Sequence, residues 1–274
     1  MLFDVHTHVH FPAYGDERSA VIDRARALGI NMITVGTSVE TSKEAIDIAK
    51  RYPDMIWATV GFHPNHAVEN WHKDEGESSA DAPEKFDQQA ILELARDEKV
   101  VAIGECGLDY YRNNDPETKL RQRQVFEKQV EIAKEINKPL MIHCRPTSGS
   151  DDAYEDLLKI LAEMNIDIPV VLHFYAGGVE VTQKFIDAGY NFTFGGVITF
   201  ASDYDESIKL IPLDRIMLET DAPYVAPASN RGKRNESSYI GEVAEKLASI
   251  KAISYNEVEK MTTENVKNVF KIEF

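Results

Sequence analysis

Asp4-Val5-His6-Thr7-His8 closes a short apolar run that begins at Leu2. On a β-strand, residues two apart point to the same face. His6 and His8 would therefore offer two imidazoles to one point at the strand's carboxyl end. Imidazole ligates zinc, iron, nickel and other borderline ions. Alone, such a pair more often reads as two surface histidines beside a strand. The two readings part on whether other strands also end in ligands.

Seven further apolar runs follow, at 32–35, 56–60, 100–103, 140–142, 170–172, 192–194 and 216–218. They are rich in Val, Ile, Leu and Phe, as strands buried on both faces should be. Amphipathic segments alternate with them. Helices are expected over 18–28 closed by Gly29, 42–51, 85–97, 117–136 behind Pro116, 151–164, 179–188 closed by Gly189, 239–250 and 256–270. Eight β-then-α units in 274 residues suggest one domain over 1–274, a (β/α)8 TIM-type barrel. A doubly wound open sheet is the alternative. In a barrel, polar residues gather at the carboxyl ends of many strands around one axis.

The ends of these runs are polar. The third leads into Gly61-Phe62-His63-Pro64 and the fourth into Gly104-Glu105-Cys106-Gly107-Leu108-Asp109-Tyr110. The fifth leads into His143-Cys144-Arg145, the sixth into His173, and the eighth into Glu219-Thr220-Asp221-Ala222-Pro223. Five of the eight histidines thus stand at strand ends. The metal-ligand set read from this pattern is His6, His8, Glu105, His143, His173 and Asp221, too many for one tetrahedral ion. Two divalent ions about 3.5–4 Å apart would use them all, with Glu105 as the bridge. His6, His8 and Asp221 would hold the first ion, and His143 and His173 the second. One ion with spare polar residues is the alternative. Mg2+, Mn2+ and Zn2+ all suit such donors. Alternation turns Cys106 and Cys144 away from the ligands, toward the strand–helix layer, as small buried hydrophobes.

The motifs Asp4-Val-His-Thr-His8, Gly61-Phe-His-Pro64, Ala102-Ile-Gly-Glu-Cys-Gly-Leu-Asp-Tyr110, Ile142-His-Cys-Arg145, Leu218-Glu-Thr-Asp-Ala-Pro-Tyr224 and Arg231-Gly-Lys-Arg-Asn-Glu236 span most of the chain. In this order they resemble the TatD-related DNase family of the amidohydrolase superfamily. The resemblance implies a glutamate at the bridging place and metal-dependent hydrolysis of DNA phosphodiesters, often exonucleolytic. The chain departs from the family's pattern at Pro146, at His173-Phe-Tyr-Ala-Gly177 and at Ser237, around the substrate pocket rather than at the ligands.

Roles follow. Two ions would polarise a phosphoryl oxygen and activate a water. Asp221 would ligate and also act as general base, so Asp221 and Glu105 are the catalytic pair. His63, by resemblance and by its place after the third strand, would contact a phosphate. Arg112 and Arg145 lie just past strands four and five, where a guanidinium forks onto phosphate oxygens. Arg231, Lys233 and Arg234 put three positive charges after the eighth strand, with Asn235 and Glu236 to orient them. Tyr110, Tyr111 and Tyr224 are candidates for stacking on bases. The expected substrate is single-stranded DNA at its ends. A small amide, ester, lactone or phosphoester is the alternative, and a non-catalytic binding role a third.

Composition sets outer bounds. Hydrophobic residues make up 43% and charged residues 28%, ordinary for a globular chain. No run of about 20 apolar residues is present, so no membrane span is expected. The first residues lack a basic-then-apolar pattern, so no leader is expected. Two cysteines suit a reducing cytoplasm, and a barrel of this size is expected to be a monomer. The net charge of −16, from 30 basic and 46 acidic residues, excludes a broad basic face for nucleic acid but not a local basic site. Residues 65–85 hold six acidic and two basic residues. They read as an exposed, solvated spacer after the third strand, with a lid or size filter as the functional option.

Overall fold

Eight parallel strands pair in chain order: β1 (Phe3–Thr7), β2 (Asn31–Val35), β3 (Ile56–Val60), β4 (Val100–Asp109), β5 (Leu140–Arg145), β6 (Val170–Leu172), β7 (Asn191–Phe194) and β8 (Ile216–Leu218). The structure, a computed structural model, describes residues 1–67, 76–77 and 84–274. Most of the acidic spacer read over 65–85 lies outside the described residues. The ring closes where β8 returns to β1. Thr7 bridges Ala222, the Asp221 N–H donates to the His6 carbonyl (2.9 Å), and the His8 N–H donates to the Ala222 carbonyl (2.7 Å). This is the (β/α)8 barrel, and the open sheet is excluded.

Helices α1 (Arg18–Ala27), α2 (Val39–Arg51), α3 (Gln88–Ala95), α4 (Pro116–Glu135), α5 (Asp152–Glu163), α6 (Val179–Asp187), α7 (Asp205–Leu210), α8 (Ile240–Lys251) and α9 (Tyr255–Phe270) wrap the strands. Caps set their starts. Ser38 accepts from the Thr41 N–H, so α2 begins three residues before the expected 42. Asp115 accepts from the N–H groups of Glu117 and Thr118 ahead of α4. The six residues of α7 make too few turns for a periodic signal, so no helix is expected there from the sequence. No helix among the described residues is long and apolar enough to cross a membrane.

The core has two layers. Between strands and helices lie residues such as Ile22, Phe126, Leu157 and Phe185. Inside the barrel lie Phe3, Val5, Ile33, Trp57, Met141 and Met217, packed at the amino-terminal end against Phe270 and Ile272 from the chain's last residues. The inner layer fills the lower barrel with apolar side chains and leaves its carboxyl end to polar ones.

Of three register shifts among the described residues of the ring, at β1–β2, β3–β4 and β4–β5, the first and last separate those zones. β1 slips against β2 between Asp4 and Thr7, and β4 slips against β5 between Ile103 and Cys106. Strict alternation from Val5 in the inner layer would send His6 outward. Strict alternation from Ile103 in the outer layer would send Glu105 outward too. Each shift resets the pleat, so His6 and Glu105 both face the barrel axis. Packing is tight here: a Cβ at Gly61 would stand 2.5 Å from the Gly104 carbonyl carbon.

Candidate metal centre

Glu105 stands at the centre of the strand ends. Its backbone N–H donates to the Gly36 carbonyl (2.9 Å), which draws it across the top of the barrel. Oε2 faces His6 Nε2 at 3.4 Å and His8 Nε2 at 3.7 Å. Oε1 faces His173 Nε2 at 2.8 Å, His143 Nδ1 at 3.0 Å and His63 Nε2 at 3.2 Å. Asp221 Oδ1 completes the first side, 3.7 Å from His6 Nε2 and 3.5 Å from His8 Nε2. All six ligands read from the sequence therefore meet here. Three overlapping groups have donor atoms within 4.8 Å of one another: His6 with His8 and Glu105, His6 with His173 and Asp221, and His63 with Glu105 and His143.

The hydrogen bonds behind these rings set which nitrogen carries the proton. His8 Nδ1 lies 2.7 Å from the Val35 carbonyl, which only accepts, so Nδ1 holds the hydrogen and Nε2 turns a lone pair inward. His143 Nε2 lies 3.0 Å from Asp109 Oδ2, which leaves Nδ1 toward Glu105. A carboxylate or carbonyl behind a histidine is the usual outer partner of a metal ligand. His63 is arranged the other way. Its Nδ1 accepts from the Asn65 N–H (3.2 Å), so its hydrogen sits on Nε2 and points into the cluster as a donor. Distance alone would admit His63 as a ligand, but its proton suits an anionic oxygen instead.

The electrostatics divide the cluster between a neutral His6 and a His143 that holds a proton beside its carboxylates and must give it up to ligate an ion. Burial, and then the neighbouring His173, push the His6 pKa down to about 3, so the ring stays neutral. Burial opposes charge on His143, but its bonds to Asp109 and Glu105 outweigh that and push its pKa up to about 10. Burial likewise works against the Glu105 carboxylate, yet His173 and His63 hold its pKa well below the ordinary value. Lone pairs turned inward, two carboxylates between imidazole pairs and a buried setting fit divalent cations.

Asp109 is the residue the sequence reading leaves without a role. It also accepts from the Tyr111 N–H (3.0 Å) and the Asn65 Nδ2 (3.4 Å). Alternation from Glu105 through Gly107 is a signal that could find it. Glu219 lies one layer deeper than Asp221, fully buried, where it accepts from the Phe174 N–H (2.7 Å). Burial and then the Asp221 charge push its pKa well up. Asp221 itself has φ 53°, a left-handed backbone. Asn235 clamps that turn: its Nδ2 donates to the Thr220 carbonyl (2.8 Å) and the Tyr224 carbonyl (2.7 Å). The Asn235 backbone carbonyl accepts from the Tyr14 hydroxyl (2.9 Å).

A cavity of about 590 Å3 opens above the cluster, with Phe11, Phe174, Phe200 and Tyr224 in its walls. Arg112, Arg145 and Arg231 line it as read from the sequence. Arg234 does not line it. Its guanidinium covers the Tyr14 ring, donates to the Ala13 carbonyl (2.9 Å) and pairs with Glu17. Tyr110 is buried with its hydroxyl on Asp156 (3.0 Å), so it offers no ring to a base. Cys106 lies in the outer layer as expected, but Cys144 also reaches the cavity wall. Past Ile142, β5 keeps its pairing with β4 but not with β6, which leaves one edge at Cys144 open. Glu77, in the acidic spacer, reaches the wall as well, and accepts from the Thr37 hydroxyl (2.6 Å) beside His66 (3.0 Å).

The family model for TatD related DNase matches residues 3–271. An uncharacterized metal-dependent hydrolase of Bacillus subtilis, YabD, is 37% identical over 276 residues, 99% of this chain and 100% of the relative. The 3'-5' ssDNA/RNA exonuclease TatD of Erwinia tasmaniensis is 31% identical over 281 residues, again 99% and 100%. Among solved structures, the TatD homolog YJJV of Escherichia coli K12 aligns with a TM-score of 0.84 at 25% identity, over 99% of this chain and 98% of that one. The chain therefore belongs to the TatD related DNase family, among the metal-dependent hydrolases.

Proposed function

We propose that the protein hydrolyses phosphodiester bonds at the ends of single-stranded DNA, with two divalent ions (Mg2+, Mn2+ or Zn2+) at the Glu105 cluster. The observation that carries this reading is the shared carboxylate: one Glu105 oxygen faces His6 and His8, the other His143 and His173, at the floor of a cavity lined by guanidiniums. His6, His8 and Asp221 hold one side, His143 and His173 the other. Ions there would supply Lewis acidity toward a phosphoryl oxygen and a water acidified to near neutral pH. Asp221 takes the proton of the attacking water. The His63 Nε2–H donates to a phosphate oxygen. Arg112, Arg145 and Arg231 hold phosphates, while Arg234 supports the loop from outside. The reading includes a monomer working in the cytoplasm, a compartment that two unpaired cysteines suit.

The test is a paired assay on end-labelled single-stranded DNA. Metal-loaded protein should give a ladder of shortened products, abolished by chelator and lowered at least about 100-fold by Glu105→Ala. No ladder, with metal confirmed by elemental analysis, would sink the nuclease reading. A second reading, hydrolysis of a small phosphoester, ester, amide or lactone, has its own support. The cavity has small-ligand size, and the Glu77 carboxylate on its wall disfavours a polyanion.

A further inference from the structure

Two arginine–aromatic pairs stand at the rim of the cavity, and the metal cluster uses neither. Arg145 lays its guanidinium carbon 3.7 Å from the centre of the Tyr111 ring. Arg231 lies 3.8 Å from the centre of the Phe200 ring. Both rings remain open to solvent, Tyr111 at 52% and Phe200 at 41%, among few large apolar side chains that are. Both pairs are also anchored. The Tyr111 N–H is held by Asp109, the carboxylate behind His143. The Phe200 turn is tied to the loop after β8, where the Ala228 N–H donates to the Thr199 hydroxyl (2.8 Å).

Charge separates these two arginines from others. Arg24 pairs with Glu236, Arg123 with Glu163 and Arg234 with Glu17. Among the described residues, neither Arg145 nor Arg231 has a carboxylate partner. In a chain with 46 acidic against 30 basic residues, this leaves their donors available to a polyanion. β5 and β8 stand three places apart in the ring, so the two pairs flank the cluster from different sides.

We propose that the two pairs form a clamp for one unpaired nucleic-acid strand, each guanidinium on a backbone phosphate and each ring against the face of a base. The inference rests on the nucleic-acid reading of the site. It assigns the single-strand preference of that reading to Tyr111 and Phe200, since stacking accepts any base, but only a base whose face is uncovered. The clamp therefore selects unpaired strands, not sequence.

Binding tests it directly. The probe is a fluorescein-labelled phosphorothioate oligothymidylate, which resists cutting, titrated into metal-loaded protein across a salt series and read by anisotropy. Arg145→Ala and Arg231→Ala should each weaken binding about tenfold and flatten the log–log salt slope by about 0.7. Phe200→Leu and Tyr111→Leu should weaken it about tenfold at unchanged slope. Arg145→Lys and Arg231→Lys keep the charge and should keep the slope, which guards against misfolded alanine variants. Unchanged affinity, or loss without a change of slope in the arginine variants, overturns the clamp while DNA cleavage by the unsubstituted protein leaves the nuclease reading standing. No binding and no cleavage, with bis(p-nitrophenyl) phosphate still turned over, overturns the nucleic-acid reading and the clamp with it.

Discussion

Asp109 and Asn235 touch no substrate in this scheme, yet each decides where a catalytic group sits. Asp109→Asn would leave His143 Nε2 facing an amide in place of a carboxylate. The expected result is a metal affinity lower by about 10- to 100-fold, measured by metal titration, with little change in the far-ultraviolet circular dichroism. Asn235→Ala strips two carbonyls of their donor around the left-handed Asp221. That should cost about 1–3 kcal/mol in urea unfolding. It should also lower kcat more than it raises KM, since Asp221 is displaced rather than removed. Much of this was open to a reader of the sequence. The same alternation that pairs His6 with His8 places Asp109 with Glu105. The donor role of His63 was not, because it depends on the Asn65 amide turning back onto Nδ1, which no spacing encodes.

Strand β1 carries a buried carboxylate that the metal cluster does not use. Asp4 accepts from the Thr220 N–H (2.9 Å), the Thr220 hydroxyl (2.6 Å) and the His6 N–H (3.3 Å), and so fastens β1 to the segment after β8. Burial outweighs these bonds and pushes its pKa up to about 6. A carboxyl whose pKa is higher folded than unfolded binds more protons in the folded state between the two values. Its contribution to stability therefore falls as pH rises from about 4 to about 6, by up to roughly 3 kcal/mol. Urea unfolding of the unsubstituted protein and Asp4→Asn at both pH values should show that difference shrinking in the variant. The strand positions were readable because runs buried on both faces are continuous. The register shifts in β1 and β4 were not, because a slipped pleat leaves no mark on composition. The short α7 escaped for want of a repeat, and α2 started early because Ser38 caps it.

For the folded chain as a whole, the donor cluster predicts that stability and metal occupancy are linked. Ions that bind the folded state alone add about 2.7 kcal/mol at a concentration a hundredfold above Kd. Loading should therefore raise Tm by roughly 5–10 °C, and a chelator should return it. An unchanged Tm with metal shown to be bound would contradict the linkage. The β/α alternation and the ligands at strand ends made the barrel legible from the sequence. What they did not disclose is that the ring shuts through the ligands' own backbone, with Asp221 on His6 and His8 on Ala222. This has a consequence for the protein's birth. On the ribosome, His6 and His8 emerge long before Asp221 and the segment that seals the ring. An unfinished polypeptide thus lacks both the closing seam and the last carboxylate. A metal-dependent hydrolase built this way stays inert until the segment around Asp221 has been made.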